Sequence, residues 1–168
     1  MVRARRHEHR KADGDTVRRV GCFLPRPAGP LRYINRAKRL QASSFRMWNL
    51  YGIEPETLDY RTMRVEEAAY HLRPEIIEST YYLYHYTRER RYREMGETFF
   101  NDFVKYCKTD SGYAALSSVV TKDKLDEMES FVFAETFKYF YLLFAPPKTL
   151  DFDKVVFNTE AHPLRKTW

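Results

Sequence analysis

Tyr70-His71-Leu72-Arg73-Pro74-Glu75-Ile76-Ile77-Glu78-Ser79 brings a helix start, an arginine and two carboxylates together in one short stretch. Proline is favoured in the first turn of a helix, where its missing N–H costs nothing, so Pro74 reads as the first helical residue and Arg73 as the residue just outside. Glu75 then falls in the first turn, where unpaired N–H groups and the dipole favour an ionised carboxylate. Glu78 follows at i+3 on the same face. Two acids therefore point one way. Acids in first turns also serve plain helix-start chemistry, and this decapeptide does not by itself separate the two roles.

Working outward, this central helix runs to about Thr87 and turns Ile77, Tyr81, Leu83 and Tyr84 inward. The short charged joint Arg88-Glu89-Arg90 leads into a further helix from about Arg91 to Lys108, carrying Tyr92, Met95, Phe99, Phe103 and Tyr106, so the pair is expected as an antiparallel hairpin. Upstream, Ile34, Ala37, Leu40, Gln41, Phe45, Trp48 and Leu50-Tyr51 keep an apolar stripe at helical spacing, stopped at Gly52. Pro55 and the polar residues from Glu54 to Arg64 make a connection, with Thr62 to Val65 extended. Downstream, Asp110-Ser111-Gly112 breaks the helix, Tyr113 to Val120 reads as a short strand, and Lys122 to Glu127 is a charged loop. The stretch Met128 to Phe144 is a last helix, apolar nearly all round and so expected to be buried on most sides. Pro146 and Pro147 end it. Val155-Val156-Phe157 reads as a short strand before Asn158-Thr159-Glu160-Ala161-His162-Pro163.

At 168 residues the chain has single-domain size, and 43% hydrophobic with 16% aromatic residues is a composition that folds rather than one that stays disordered. The formal charge of +6 is lopsided, because residues 1–32 hold nine Lys/Arg against three Asp/Glu and the remaining charges cancel. The body is therefore neutral, and no whole-surface attraction to nucleic acid or anionic lipid is expected; only the N-terminal segment could supply one. That segment, with Pro25, Pro27, Gly29 and Pro30 and no periodicity, is expected to be irregular. Cys22 and Cys107 lie far apart, in neither a zinc spacing nor a disulfide framework. No apolar run approaches the roughly 18 residues that span a bilayer. Val20 to Leu24, followed by Pro25, is too short for a signal-peptide core, so the chain as written carries no export address.

Glu135 is the other informative acid, sitting in a helix that otherwise has little reason to carry charge. A buried carboxylate needs a cation or several donors. Thr159 and Glu160, after a short strand, could bring a hydroxyl, a main-chain carbonyl and another carboxylate to the same place, a set of oxygens that suits calcium. The plainer alternative is a structural salt bridge from Glu135 to Lys138 or Arg73, with Phe131 as core.

Leu72-Arg73-Pro74-Glu75 with Glu78-Ser79, then Met128-Glu129-Ser130-Phe131 with Ala134-Glu135-Thr136, Lys138-Tyr139 and Tyr141-Leu142-Leu143-Phe144, and finally Phe157 to Pro163 resemble, in order and spacing, the C-terminal part of the class I α-1,2-mannosidases, glycoside hydrolase family 47. The resemblance covers about Asn35 to Pro163. It implies a mainly α fold, an incomplete (α/α)7 barrel of helix pairs, with a short β-hairpin near the C-terminus that carries the calcium ligand. By resemblance Thr159 is that ligand, Glu75 the general base and Arg73 a sugar-binding arginine. Phe131 is the ring under the mannose, and Glu78, Glu135 and Glu160 are the acidic shell around the metal's waters and the sugar hydroxyls. It further implies Ca2+ as cofactor, α-1,2-linked mannose oligosaccharides as substrate with inversion at the reacting carbon, and residence in the secretory pathway or, in bacteria, export.

Nothing upstream of Tyr33 resembles the family, whose general acid and further pocket residues come from earlier helix pairs. Residues 1–32 look like the product of a shifted reading frame or a misplaced start. The resemblance thus implies a truncated chain, inactive alone. Cys107 has no evident partner for a family disulfide. A noncatalytic mannose-binding relative and a helical interaction module with a basic arm are the alternative readings.

Overall fold

The computed structural model describes residues 16–18 and 30–167, with side chains from residue 33. Helix α1 (Pro30–Tyr51) is followed by strands β2 (Thr57–Asp59) and β3 (Arg64–Glu67), then by α2 (Glu75–Thr87) and α3 (Arg90–Cys107). A π-helical turn, Val132–Thr136, runs directly into α4 (Phe137–Phe144), and strands β4 (Val155–Phe157) and β5 (Pro163–Arg165) close the chain. Strand β1 (Thr16–Arg18) lies antiparallel on β2, which pairs with β3, while β4 and β5 form a separate antiparallel hairpin.

Helix α1 begins at Pro30, three residues before the abrupt change of composition, because proline suits a first helical position. It ends at Gly52, whose φ of +72° favours a residue without a side chain. Pro74 sits just outside α2 in helical geometry, one residue from its expected place. The α2–α3 joint turns at Arg88, whose φ is 58° and whose N–H donates to the Tyr84 carbonyl at 2.8 Å. Lys38 of α1 pairs with Glu89 in the same joint, tying α1 to the hairpin. Gly96 lets α3 and α4 approach closely, since a β-carbon there would fall 2.0 Å from Leu143 Cδ2. Between the helices lies one large core containing Trp48, Ile53, Tyr70, Ile76, Ile77, Phe99, Phe103, Tyr139 and Leu143. Trp48 and Phe99 meet at 4.6 Å between centroids, and Phe103 stacks on Tyr113 at 5.1 Å.

Three expectations meet a different outcome. Residues 113–120 form no strand; they make isolated bridges from Leu116 to Tyr70 and Lys124 and from Tyr113 to Lys108, because the segment crosses its partners instead of running along them. The last helix starts about three residues late and is not buried on most sides. Val132, Thr136, Tyr139, Phe140 and Leu143 face the core, while Phe133 and Tyr141 are 60% and 64% exposed. Hydropathy reports what a side chain prefers, not whether a neighbour is present to cover it. Within the segment read as irregular, Thr16–Arg18 pairs with β2 and Pro30–Arg32 already belong to α1; the remainder of 1–29, with Cys22, lies outside the described residues. Cys107 is a buried free thiol, and burial pushes it up to about 12. No helix among the described residues is long and apolar enough to cross a membrane.

Candidate functional site

The loop into α2 is held in a costly conformation. Leu72 is fully buried at φ 61°, a region that costs a leucine about 1–2 kcal/mol. Its carbonyl accepts the Thr136 hydroxyl at 2.8 Å, from the π-helical turn. Tyr70 Oη donates to the Arg73 carbonyl at 3.3 Å and Ser79 Oγ to that of Glu75 at 2.8 Å. Two segments far apart in sequence therefore clamp Arg73 and Glu75 at the start of α2.

Arg73 reaches back to the turn after α1. Its Nε and Nη2 donate to the two carboxylate oxygens of Glu56 at 3.1 and 3.3 Å, a forked pairing with Glu56 almost fully buried. The His71 N–H also donates to Glu56 at 3.3 Å, and His71 Nδ1 lies 3.1 Å from Glu127 Oε1. The Arg73 guanidinium stands 5.7 Å from the centre of the Phe131 ring, so two of the residues named from the sequence meet.

The acids converge from three elements. Tyr139 Oη donates to Glu78 Oε1 at 2.9 Å, while burial, with Glu75 beside it, pushes the Glu78 carboxyl up. Glu135 is pushed up to about 7, first by desolvation and then by the negative charges of Glu160, Glu78 and Glu75. Its place in the π-helical turn is notable, since such single turns recur at functional sites. The salt-bridge alternative for Glu135 has no counterpart: Lys138 Nζ donates to the Ala161 carbonyl at 2.7 Å and stands over Phe157, and Arg73 is occupied by Glu56.

Thr159 and Glu160 sit in the turn between β4 and β5, both exposed. That turn is closed by Asn158 N–H to the His162 carbonyl at 3.1 Å and His162 N–H to Asn158 Oδ1 at 2.8 Å, and is docked through fully buried Ala161. Among the described residues, no three His, Cys, Asp or Glu side chains gather closely enough to cage a metal by themselves. The two cavities with defined linings, about 10 and 730 Å3, lie where α2 and α3 meet the end of α4 and contain none of these acids.

Two acids escaped the reading of the sequence. Glu54 and Glu56 stand in a stretch taken as a polar connection, yet each is only 8% exposed. The available signal was Glu-Pro-Glu one residue beyond a glycine helix stop: proline stiffens the turn, and two acids flank it at fixed separation.

The profile of glycosyl hydrolase family 47 matches residues 15–166. The endoplasmic reticulum mannosyl-oligosaccharide 1,2-alpha-mannosidase of Mus musculus is 36% identical over 167 residues, covering 85% of this chain and 25% of that protein. The mannosyl-oligosaccharide alpha-1,2-mannosidase 1B of Aspergillus oryzae is 45% identical over 125 residues, covering 70% of this chain and 24% of its own length. Among solved structures, the alpha-1,2-mannosidase from Trichoderma reesei, an (α/α)7 barrel, superposes with a TM-score of 0.71 at 30% identity, over 79% of this chain and 34% of that one. The chain thus spans about a quarter of the length of these curated relatives, and its helix hairpin, terminal β-hairpin and acid-rich loops belong to glycosyl hydrolase family 47.

Proposed function

We propose that this chain is the C-terminal part of a calcium-dependent, inverting α-1,2-mannosidase that trims mannose from high-mannose oligosaccharides. The observation that carries the reading is the convergence of Glu75, Glu78, Glu135 and Glu160 with too little positive charge to match them. Glu78 and Glu135, pushed toward their protonated forms by burial and then by the neighbouring carboxylates, are groups that a divalent cation would relieve.

The donors fit a hard cation, being oxygens without sulfur or imidazole. Thr159 would be the direct ligand through its hydroxyl and carbonyl, with Glu78, Glu135 and Glu160 around its waters. When bound, calcium would fix sugar hydroxyls and help stabilise developing charge. Glu75 takes the proton of the attacking water, and the hydrogen bonds to the carbonyls of Leu72, Arg73 and Glu75 fix the main chain that carries it. Phe131 offers an apolar face to the mannose ring, and Arg73, fixed by Glu56, stands beside it to hydrogen-bond sugar hydroxyls. Inversion requires a general acid across the ring from the base, about 6.5–9.5 Å from it. We assign that role to none of the described residues. The name of the mouse relative favours the secretory pathway as the compartment.

Calcium titration followed by calorimetry, together with assay of free mannose from an α-1,2-linked mannobiose, tests this reading. Chelator-sensitive mannose release is the expected result in a completed barrel, and Glu75→Gln there should abolish turnover while leaving calcium binding intact. Chelator-sensitive binding without release would select the noncatalytic mannose-binding reading. Absence of both overturns the proposal.

A further inference from the structure

The loop into α2 and the segment leading to the π-helical turn meet residue by residue. Tyr70 and Leu116 exchange main-chain hydrogen bonds, each at 2.9 Å. One residue on, His71 Nδ1 stands 3.1 Å from Glu127 Oε1. The Leu72 carbonyl then accepts the Thr136 hydroxyl at 2.8 Å, and the Arg73 guanidinium lies 5.7 Å from the centre of the Phe131 ring. Residues 70 to 73 thus each hold a different point of the segment 116–136. Of the side-chain contacts in this set, His71 with Glu127 is the one that the family resemblance and the chemistry of Glu75, Arg73 and Phe131 leave without a role.

The two ends of that contact are held to different degrees. His71 is fixed by its N–H to Glu56 at 3.3 Å and by the Tyr70–Leu116 pair beside it. Glu127 closes the part of its loop that is laced to Ala115: the Ala115 N–H donates to the Glu127 carbonyl at 2.9 Å, and the Leu125 N–H to the Ala115 carbonyl at 2.8 Å. Met128, Glu129 and Ser130 follow, all exposed, and then comes Phe131. The ring is therefore suspended between Glu127 and the fully buried Val132.

A glutamate carboxylate only accepts, so His71 Nδ1–H is the donor. With side chains 27% and 39% exposed the pair is partly solvated, and such a pair adds little to stability. Its hydrogen bond does constrain direction, because a ring N–H has to point at its acceptor. His71 lies two residues before Arg73, and Glu127 four before Phe131. The bond thus joins the two segments one step behind the place where the arginine and the ring meet.

We propose that His71 and Glu127 are positioning residues: their hydrogen bond places the loop that carries Phe131 so that the ring stands against Arg73, and neither side chain takes part in the chemistry itself. A ring face and a guanidinium serve one sugar only while their separation is kept, since small misplacements in a site are costly. The inference rests on the reading of Arg73 and Phe131 as the residues that hold mannose, but the contact between those two can be read without sugar.

The nuclear Overhauser contact between Arg73 Nε–H and the Phe131 ring protons, in the full 168-residue chain, reads this geometry. The Nε–H is bonded to Glu56 at 3.1 Å, which shields it from exchange, and the ring signals are assigned by their loss in Phe131→Leu. The wild type is expected to show the contact. His71→Ala and Glu127→Ala are each expected to lose it, although neither alters Arg73 or Phe131. Glu127→Gln, whose amide oxygen still accepts the His71 N–H, is expected to keep it.

An Arg73–Phe131 contact that is missing from the wild type, or that survives in both alanine variants, overturns the proposal. Survival with a lowered melting temperature overturns it equally, since that is what a merely structural pair would give. A Glu127→Gln chain that loses the contact as fully as Glu127→Ala overturns the hydrogen bond as its cause. Should His71→Ala fail to fold, the two Glu127 variants, at a partly exposed position, decide alone. Calorimetric titration with α-1,2-linked mannobiose separates the two readings: a chain whose contact depends on Glu127 but which binds no mannobiose keeps the positioning pair and loses only the mannosidase reading.

Discussion

The apolar core and the acid end of the molecule meet along α2, and they treat polar groups in opposite ways. In the core buried donors are matched locally: Trp48 Nε1 donates to Asp102 at 3.0 Å, Gln41 Nε2 to Thr80 Oγ1 at 2.7 Å, and Thr136 to the Leu72 carbonyl. Among the described residues, the acceptor Gln41 Oε1 and the Ser44 hydroxyl are buried without a partner. At the acid end Glu54, Glu56, Glu75, Glu78, Glu135 and Glu160 crowd one side of the fold, while Arg73 serves Glu56 and Lys138 is turned to a main-chain carbonyl. A cluster left this far from charge balance contributes little to stability and is suited to receiving something positive or rich in hydroxyls.

The largest expected effect breaks the core side of that comparison. Trp48→Ala should cost about 3–5 kcal/mol in urea unfolding, from a lost buried ring and an unpaired Asp102. Next, Arg73→Ala strips the acid end of its cation and leaves Glu56 buried without its forked partner; the expected loss is about 2–4 kcal/mol by the same measurement. Arg73→Lys should recover only part of it, because an ammonium cannot pair both oxygens at once.

Glu135→Gln sharpens the contrast in the opposite direction. Its carboxyl is pushed up to about 7 in the fold, so the folded chain holds a proton that the unfolded chain has already released. Stability is lost between the ordinary carboxylate range and about 7, and the amide removes that loss. Above neutrality Glu135→Gln should therefore be more stable than wild type by about 1 kcal/mol, a figure kept small because the group is partly solvated. In acid the two should coincide. The smallest effect is expected for Phe133→Ser on the exposed face of α4, within about 0.5 kcal/mol in denaturant; a larger loss would mean that this face is covered in solution.

Much of the frame was legible in the chain. Pro74 marked the start of α2 to within a residue, Arg88-Glu89-Arg90 marked the hairpin with α3, and Val155-Val156-Phe157 proved to be β4. Each of these is local chemistry: a missing N–H, a charged joint, β-branched residues in a row. The resemblance to the family named Arg73, Phe131, Glu78 and Glu135 as site residues; that Arg73 stands over Phe131 was not anticipated. Nor was the π-helical turn, since the sequence of a helix does not display whether its hydrogen bonds skip one residue further. Glu54 and Glu56 were missed because acids in a connection are ordinarily solvated, and nothing nearby in the sequence announces that the Arg73 loop will cover them.

By itself, then, the sequence determined where the helices start and stop and which of their faces are apolar, because those properties depend on neighbours within a turn or two. Only the tertiary structure decided that Leu72 is held at positive φ by Thr136, that Arg73 is committed to Glu56 and not to Glu135, and that Phe133 and Tyr141 face outward. These outcomes turn on which distant element arrives to desolvate or pair a group. Desolvation and pairing belong to the packed molecule, and no single residue carries them.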